Sequence, residues 1–295
     1  AECVPLVFVR PFAYSLAHLE AARKVGATGF LPRTTPEECL VDDAAAHLLH
    51  TVGTRVPLSR AFHRVAKANG VSLPQGLFAG LTADLNLIAS APHLLPRWLE
   101  MPDGHQVVGP VYANLPGEVP EFVADLAAGP KPLVYFAVGS SGNRDLVLDV
   151  LRGLGRADCQ VLAPVRSHLH QEDLKTLPLN VHVTDWIPTH QLGDAVDLAI
   201  THGGEGTVQT SCVQGWPFIG IPLQLEQRFN VQRCVAFGSA RLVSQKEARR
   251  ADWAALVREA LTDDVMRSRA QRLAELMKKG LDGPGRAAEA ICKLL

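Results

Sequence analysis

The sequence predicts an α/β protein built from doubly wound, Rossmann-like parallel-sheet domains, with the N-terminal one incomplete. Three observations carry this. Short apolar runs alternate with amphipathic stretches along the chain. The runs of the second half are apolar on both faces, as strands of a covered parallel sheet are. A length of 295 residues, 47% hydrophobic and 20% charged, suits two globular domains of moderate size.

In chain order, "PLVFV" (Pro5–Val9) reads as a buried parallel strand. "AYSLAHLEAARKVG" has helical spacing and stops at Gly26. "SLPQGLFAGLTADLNLIAS" supplies another helix and strand, and "HQVVGPV" a further strand. Residues 1–114 thus read as the latter part of one Rossmann-like domain. In 115–132, "LPGEVPEFVADLAAGPKP", four prolines flank a short helical piece, the expected inter-domain linker. A regular series fills 133–280. "PLVYFAV" leads into the small-residue loop "GSSGN" and a helix through Gly153. "CQVLAPV", "VHVTDW" and "DLAIT" read as strands, and a helix follows from Gly206 to about Gln214. Strand "PFIGIP" precedes a helix from Gln227 to Phe237. Residues 281–295 form a last helix that can pack back on the first domain.

A net charge of −1 gives no electrostatic case for nucleic acid or an anionic membrane as partner. No apolar run is long enough to span a bilayer, and the opening "AECVPLVFVRPF" lacks the features of a secretion signal. The six cysteines are scattered without metal-ligand spacing and mostly sit among apolar neighbours. The expectation is a reducing cytoplasm, no structural metal and no cofactor.

The densest chemistry lies in "THGGEGTVQTSCVQGWPFIGIPLQLEQRFN", Thr201 to Asn230. A buried strand ends at Thr201, and a sharp turn must precede the next helix. Gly203, Gly204 and Gly206 allow positive φ and close backbone approach to a ligand. Unpaired N–H groups near Gly206 and Thr207, the Thr207 hydroxyl and His202 together suit an anion, specifically a diphosphate. Tight packing explains such glycine-rich turns about as well. No Lys follows the glycines as in a P-loop, and the turn is not the G-x-G-x-x-G of a first strand.

At these residues the sequence resembles the nucleotide-sugar-dependent glycosyltransferases of family 1, in particular the bacterial macrolide-, glycopeptide- and rhamnolipid-type members. The matching residues are His202 to Thr207, Gly215-Trp216-Pro217, Pro222, Glu226-Gln227 and Asn230, with "DWIP" (Asp185–Pro188), "FAVGS" (Phe136–Ser140) and "VVGPV" (Val107–Val111). The resemblance implies the GT-B fold, two Rossmann-like domains facing across a cleft, with a nucleotide sugar held by the second. His202, Gly204, Gly206 and Thr207 would bind diphosphate, with Ser140 assisting. Trp186 would stack on the base and the Ile187 backbone would contact it. Glu226 and Gln227 would hydrogen-bond the sugar hydroxyls. Plainer roles compete: core filler for Trp186, turn-former for Ser140, helix start for Glu226-Gln227.

Three departures stand out. Plant members carry a Glu where this chain has Thr210, so the resemblance leaves uridine and thymidine donors open. Glu205 sits inside the anion loop, where an inward carboxylate would repel diphosphate, so it is expected to face water. The His-Asp pair that supplies the catalytic base in inverting members is not visible; Arg10 stands near the usual Asp position. The catalytic residues are therefore unknown. His18, on "SLAHLEAARK", is a replacement candidate against the commoner reading of a packing or surface histidine. His63, His93 and His105 have less support, and His168 and His170 read as exposed loop residues.

The resemblance implies a metal-independent, inverting transferase moving sugar from a UDP- or TDP-sugar to a hydroxylated small-molecule acceptor. A partner chain would supply the N-terminal segment if it is missing here. The alternatives are an inactive sugar-nucleotide-binding partner of a transferase, or a nucleotide-sugar epimerase of the same fold.

Overall fold

The computed structural model describes residues 5–10, 55, 57–73, 83–95, 101–112, 114, 116–279 and 282–294. The chain divides into two compact units, one of residues 1–111 with 282–295 and the other of 112–281. Residues 115–132, expected as a linker, therefore count with the second unit. Their short helix α2 (Phe122–Ala128), which follows α1 (Arg60–Ala68) of the first unit, buries Val123. The proposed helix ending at Gly26, with His18 on it, lies outside the described residues, as does most of the stretch before Asp84.

In the first unit, β1 (Val7–Arg10), β2 (Leu85–Ile88) and β3 (His105–Val107) form a parallel sheet in that order. Val7 pairs with Leu85 and Leu87 with Gln106. β1 is half-exposed rather than buried, with Val9 51% exposed, and among the described residues it lies at the edge of this sheet. Leu87 and Val108 pack against Ala287 and Ala290 of the C-terminal helix Gly283–Cys292. Gly283 makes that approach possible, since a Cβ there would collide with the Pro110 carbonyl.

The second unit holds a six-stranded parallel sheet. Its strands are β4 (Leu133–Ala137), β5 (Gln160–Ala163), β6 (Val181–Val183), β7 (Leu198–Thr201), β8 (Phe218–Gly220) and β9 (Ala240–Leu242). Their order across the sheet is β6-β5-β4-β7-β8-β9. Numbered within the unit this is 3-2-1-4-5-6, the order of a dinucleotide-type Rossmann domain. β4, β7 and β8 are wholly buried, which explains their unbroken apolar composition, whereas β6 at one edge is half-buried. The helices are α3 (Arg144–Leu154), α4 (Glu205–Gln214), α5 (Leu225–Phe237), α6 (Trp253–Leu261) and α7 (Asp264–Lys278). α3 begins where the Asn143 side chain accepts the Leu146 N–H, and α4 and α5 end on glycines with φ of +80° and +91°. One core joins Phe136, Leu151, Val161, Ile200, Ile219 and Trp253. Among the described residues no helix is long and apolar enough to cross a membrane.

Candidate functional site

β4 and β7 lie side by side, but the chain leaves β4 toward β5 and leaves β7 toward β8. The order of strands reverses here, and in doubly wound sheets such a switch point places the ligand crevice at the carboxyl ends of the two strands. Two loops face it, 138–143 after β4 and 202–204 after β7.

The second loop is shaped by short-range forces. The Thr201 hydroxyl accepts the Gly203 N–H at 3.1 Å, which turns the chain out of the sheet. Gly203 adopts φ +85°, and a Cβ there would lie 2.6 Å from Val231 Cγ2 and 2.7 Å from the Gln227 carbonyl. The loop thus lies directly on α5. Gly204 caps α4 without a side-chain acceptor, leaving the amides of its first turn with no partner from a cap. Gly206 faces open space, with nothing within 4 Å of where a Cβ would stand, and Thr207 beside it is half-buried.

His202 is 7% exposed. Its ring sits between two glycines: a Cβ at Gly139 would lie 2.8 Å from the ring, and one at Gly204 2.5 Å from Nε2. Nδ1 is buried and makes no hydrogen bond among the described residues. Burial holds the imidazole below the ordinary histidine value, partly offset by the Ala137 carbonyl. The site therefore presents a buried imidazole, biased toward its neutral form, beside a helix start capped by glycine alone. Glu205, expected to face water, is half-buried and accepts from Gln209 Nε2 at 2.6 Å, one turn along the helix.

α5 is stitched to both loops. Asn230 Nδ2 donates to the Gly203 carbonyl at 3.1 Å and to Glu226 Oε1 at 2.6 Å. Gln227, 3% exposed, accepts the Leu223 N–H at 2.9 Å and donates to Ser141 Oγ at 3.1 Å. Glu226 is half-buried with its carboxylate oriented by Asn230, while both ends of the Gln227 amide already have protein partners. Ser140, next to Ser141 in the first loop, is exposed.

Beyond β6 the chain turns through Asp185 and Trp186. Trp186 is 57% exposed, its ring edge against Gly117, where a Cβ would lie 3.0 Å from Cζ3. Ile187 beside it is buried and can present only backbone. The other indoles described, Trp216 and Trp253, are buried and donate to the Gly193 and Ala248 carbonyls. Trp186 is thus the indole open for stacking among the described residues.

Ser140, His202, Gly204, Gly206 and Thr207 fall on the two loops and helix start of one crevice, and Glu226 and Gln227 are tied to those loops. Trp186 and Ile187 lie two strands away, beyond β6. His18 lies outside the described residues, and Arg10 ends β1 with its guanidinium 4.1 Å over the Phe8 ring. His168, expected simply as an exposed loop residue, is half-buried and bonds the Gly139 carbonyl through Nε2 at 2.8 Å. The available signal was its place just past the strand "CQVLAPV", at the carboxyl end of the sheet.

Residues 148–283 match the family described as erythromycin biosynthesis protein CIII-like, C-terminal domain. A PGL/p-HBAD biosynthesis rhamnosyltransferase of Mycobacterium bovis is 30% identical over 192 residues, 65% of this chain and 42% of the relative. The chain therefore spans less than half of that relative's length. Among solved structures, the glycosyltransferase of kitacinnamycin superposes with a TM-score of 0.65 at 20% identity, covering 98% of this chain and 76% of that one. Glycosyltransferase VinC, solved in complex with DTDP, superposes with a TM-score of 0.60 at 16% identity, covering 87% and 64%. These structures share the GT-B fold of two Rossmann-like units. Residues 148–283 thus carry the likeness to the erythromycin CIII-like C-terminal domain, and the chain as a whole shares the GT-B fold of these solved glycosyltransferases.

Proposed function

We propose that the crevice between β4 and β7 binds the diphosphate of a UDP- or TDP-sugar, and that the chain serves metal-independent, inverting glycosyl transfer to a hydroxylated small molecule. The observation that carries this is the pairing of a helix start capped by glycine alone with the buried His202 imidazole packed against that glycine. An anion at a helix N-terminus meets the amides of its first turn, and the His202 ring lies beside that turn.

The amides at the start of α4, the Thr207 hydroxyl, Ser140 and His202 take the phosphate oxygens. As the glycosidic bond to the diphosphate breaks, the same donors stabilise the growing charge on the leaving group, so this reading requires no metal. Trp186 stacks on the base and the Ile187 backbone meets its edge. Glu226 accepts from sugar hydroxyls, whereas Gln227 can do so only by exchanging its bond to Ser141. The base that deprotonates the acceptor is not assigned. A solved structure of the same fold holds DTDP, and a 31% identical relative is a UDP-glucosyltransferase, so this reading keeps both donors.

The test is calorimetric titration of UDP and TDP into the chain and into His202→Ala. Wild-type binding that is lost in the variant supports the assignment; equal binding by both overturns it. Release of nucleotide from UDP- or TDP-sugar separates a transferase from a binding partner, and interconversion of donor sugars without acceptor would identify an epimerase.

A further inference from the structure

Resting on that reading of the crevice, we propose that His168 is a positioning residue, which aims the Ser140 amide at the diphosphate by holding the Gly139 carbonyl. His168 belongs to the short turn Arg166–His168 after β5, the sheet neighbour of β4. That turn is anchored on several sides. The Arg166 N–H donates to the Thr184 carbonyl at 3.2 Å and the His168 N–H to Val165 at 2.9 Å. The following segment is fixed by Asp173, which accepts the His170 N–H at 2.8 Å and Arg144 Nε at 2.8 Å. A side chain on so fixed a base can define the direction of its partner.

The partner is a carbonyl within an otherwise permissive turn. Gly139 adopts φ +53°, which glycine reaches without strain but does not enforce. His168 Nε2 donates to its oxygen at 2.8 Å. A peptide unit is planar and trans, so the N–H of the next residue points opposite to the carbonyl. Fixing the Gly139 oxygen toward His168 therefore turns the Ser140 N–H away from His168. His202 packs on the same glycine, and Gln227 holds Ser141 by its hydroxyl. Gln224 Nε2 also reaches Ser141 Oγ at 3.4 Å, but among these side chains His168 is the one that holds the Gly139 carbonyl.

The experiment titrates UDP and TDP, and separately uridine and thymidine, into wild type, His168→Leu, His168→Asn and His168→Gln. Loss of one oriented hydrogen bond predicts diphosphate affinity about 5- to 10-fold weaker in His168→Leu, with nucleoside affinity unchanged. His168→Gln, whose amide reaches the carbonyl, restores most of the loss. His168→Asn, too short to reach, behaves like His168→Leu and serves should the latter not fold. Unchanged diphosphate affinity in the Leu and Asn variants overturns the proposal, as does an equal loss for diphosphate and nucleoside, which would mark a residue that only holds the fold. If wild type binds neither diphosphate, the reading of the crevice itself fails and this inference goes with it.

Discussion

Asn230 and Gly203 are joined where the turn after β7 lies on α5: the Asn230 amide donates to the Gly203 carbonyl at 3.1 Å and, in the same group, to Glu226 Oε1 at 2.6 Å. One side chain thereby locks the turn after β7 to the first two turns of α5. Both of its partners are acceptors, so only a double donor fits. Asn230→Leu should lower stability by about 1–3 kcal/mol, the penalty for taking this donor from the buried Gly203 carbonyl. Asn230→Asp should be worse at neutral pH, because it sets a carboxylate against another carboxylate and a carbonyl. Urea unfolding at pH 7 decides this, and an Asp variant as stable as wild type would refute the account.

Gly203 in this turn and Gly206 in the first turn of α4 should respond in opposite ways. Gly203→Ala meets Val231 and the Gln227 carbonyl at 2.6 and 2.7 Å and strains a φ of +85°. Destabilisation of at least about 2 kcal/mol is expected. Gly206→Ala meets nothing within 4 Å, and alanine is the better helix former by about 1 kcal/mol. It should fold as well as wild type or better while weakening UDP and TDP, because its methyl occupies the space assigned to phosphate. Thermal unfolding with and without nucleotide reads both effects.

Trp186 is open where Trp216 and Trp253 are buried. Trp186→Ala should therefore leave the melting temperature nearly unchanged but weaken nucleotide binding about 10-fold, since stacking on a base contributes about 1–3 kcal/mol. Quenching of its fluorescence on titration with UDP or TDP should disappear in the variant. Quenching that persists would move the base elsewhere.

Burial depresses the His202 pKa, and the sign of its pH effect follows. As pH falls, the unfolded chain takes up this proton first, at about 6.5. The stability contributed by neutral His202 is thus complete above about 6.5, declines below it, and levels off once pH passes the lowered folded value. His202→Gln should flatten this acid-side decline in urea melts between pH 8 and 5. A bound diphosphate favours the imidazolium, so binding near pH 6 should take up a proton. Calorimetry in two buffers of different ionisation enthalpy measures that uptake, and its absence would show that His202 does not meet the anion.

Much of the candidate site was readable because it is local. The helix start at Glu205, the turn at His202–Gly204 and the following α5 depend on residues within a few positions of each other, and local spacing encodes them. The open role of Gln227 was not readable, because its partner Ser141 lies 86 residues away. Nor was the part played by His168, whose bond to Gly139 spans 29 residues. Histidine in a loop carries no label for what it will face.

By itself, then, the sequence determined the α/β class, the strands of the second half and the glycine-histidine turn, because apolar periodicity and backbone freedom act over short stretches. Only the tertiary structure decided that β4 and β7 adjoin with their connections leaving in opposite directions, that the chain divides at residue 111 rather than beyond 114, and that Trp186 stays exposed while other indoles are buried. Those outcomes depend on which distant surfaces meet when apolar area leaves water, and burial is blind to distance along the chain.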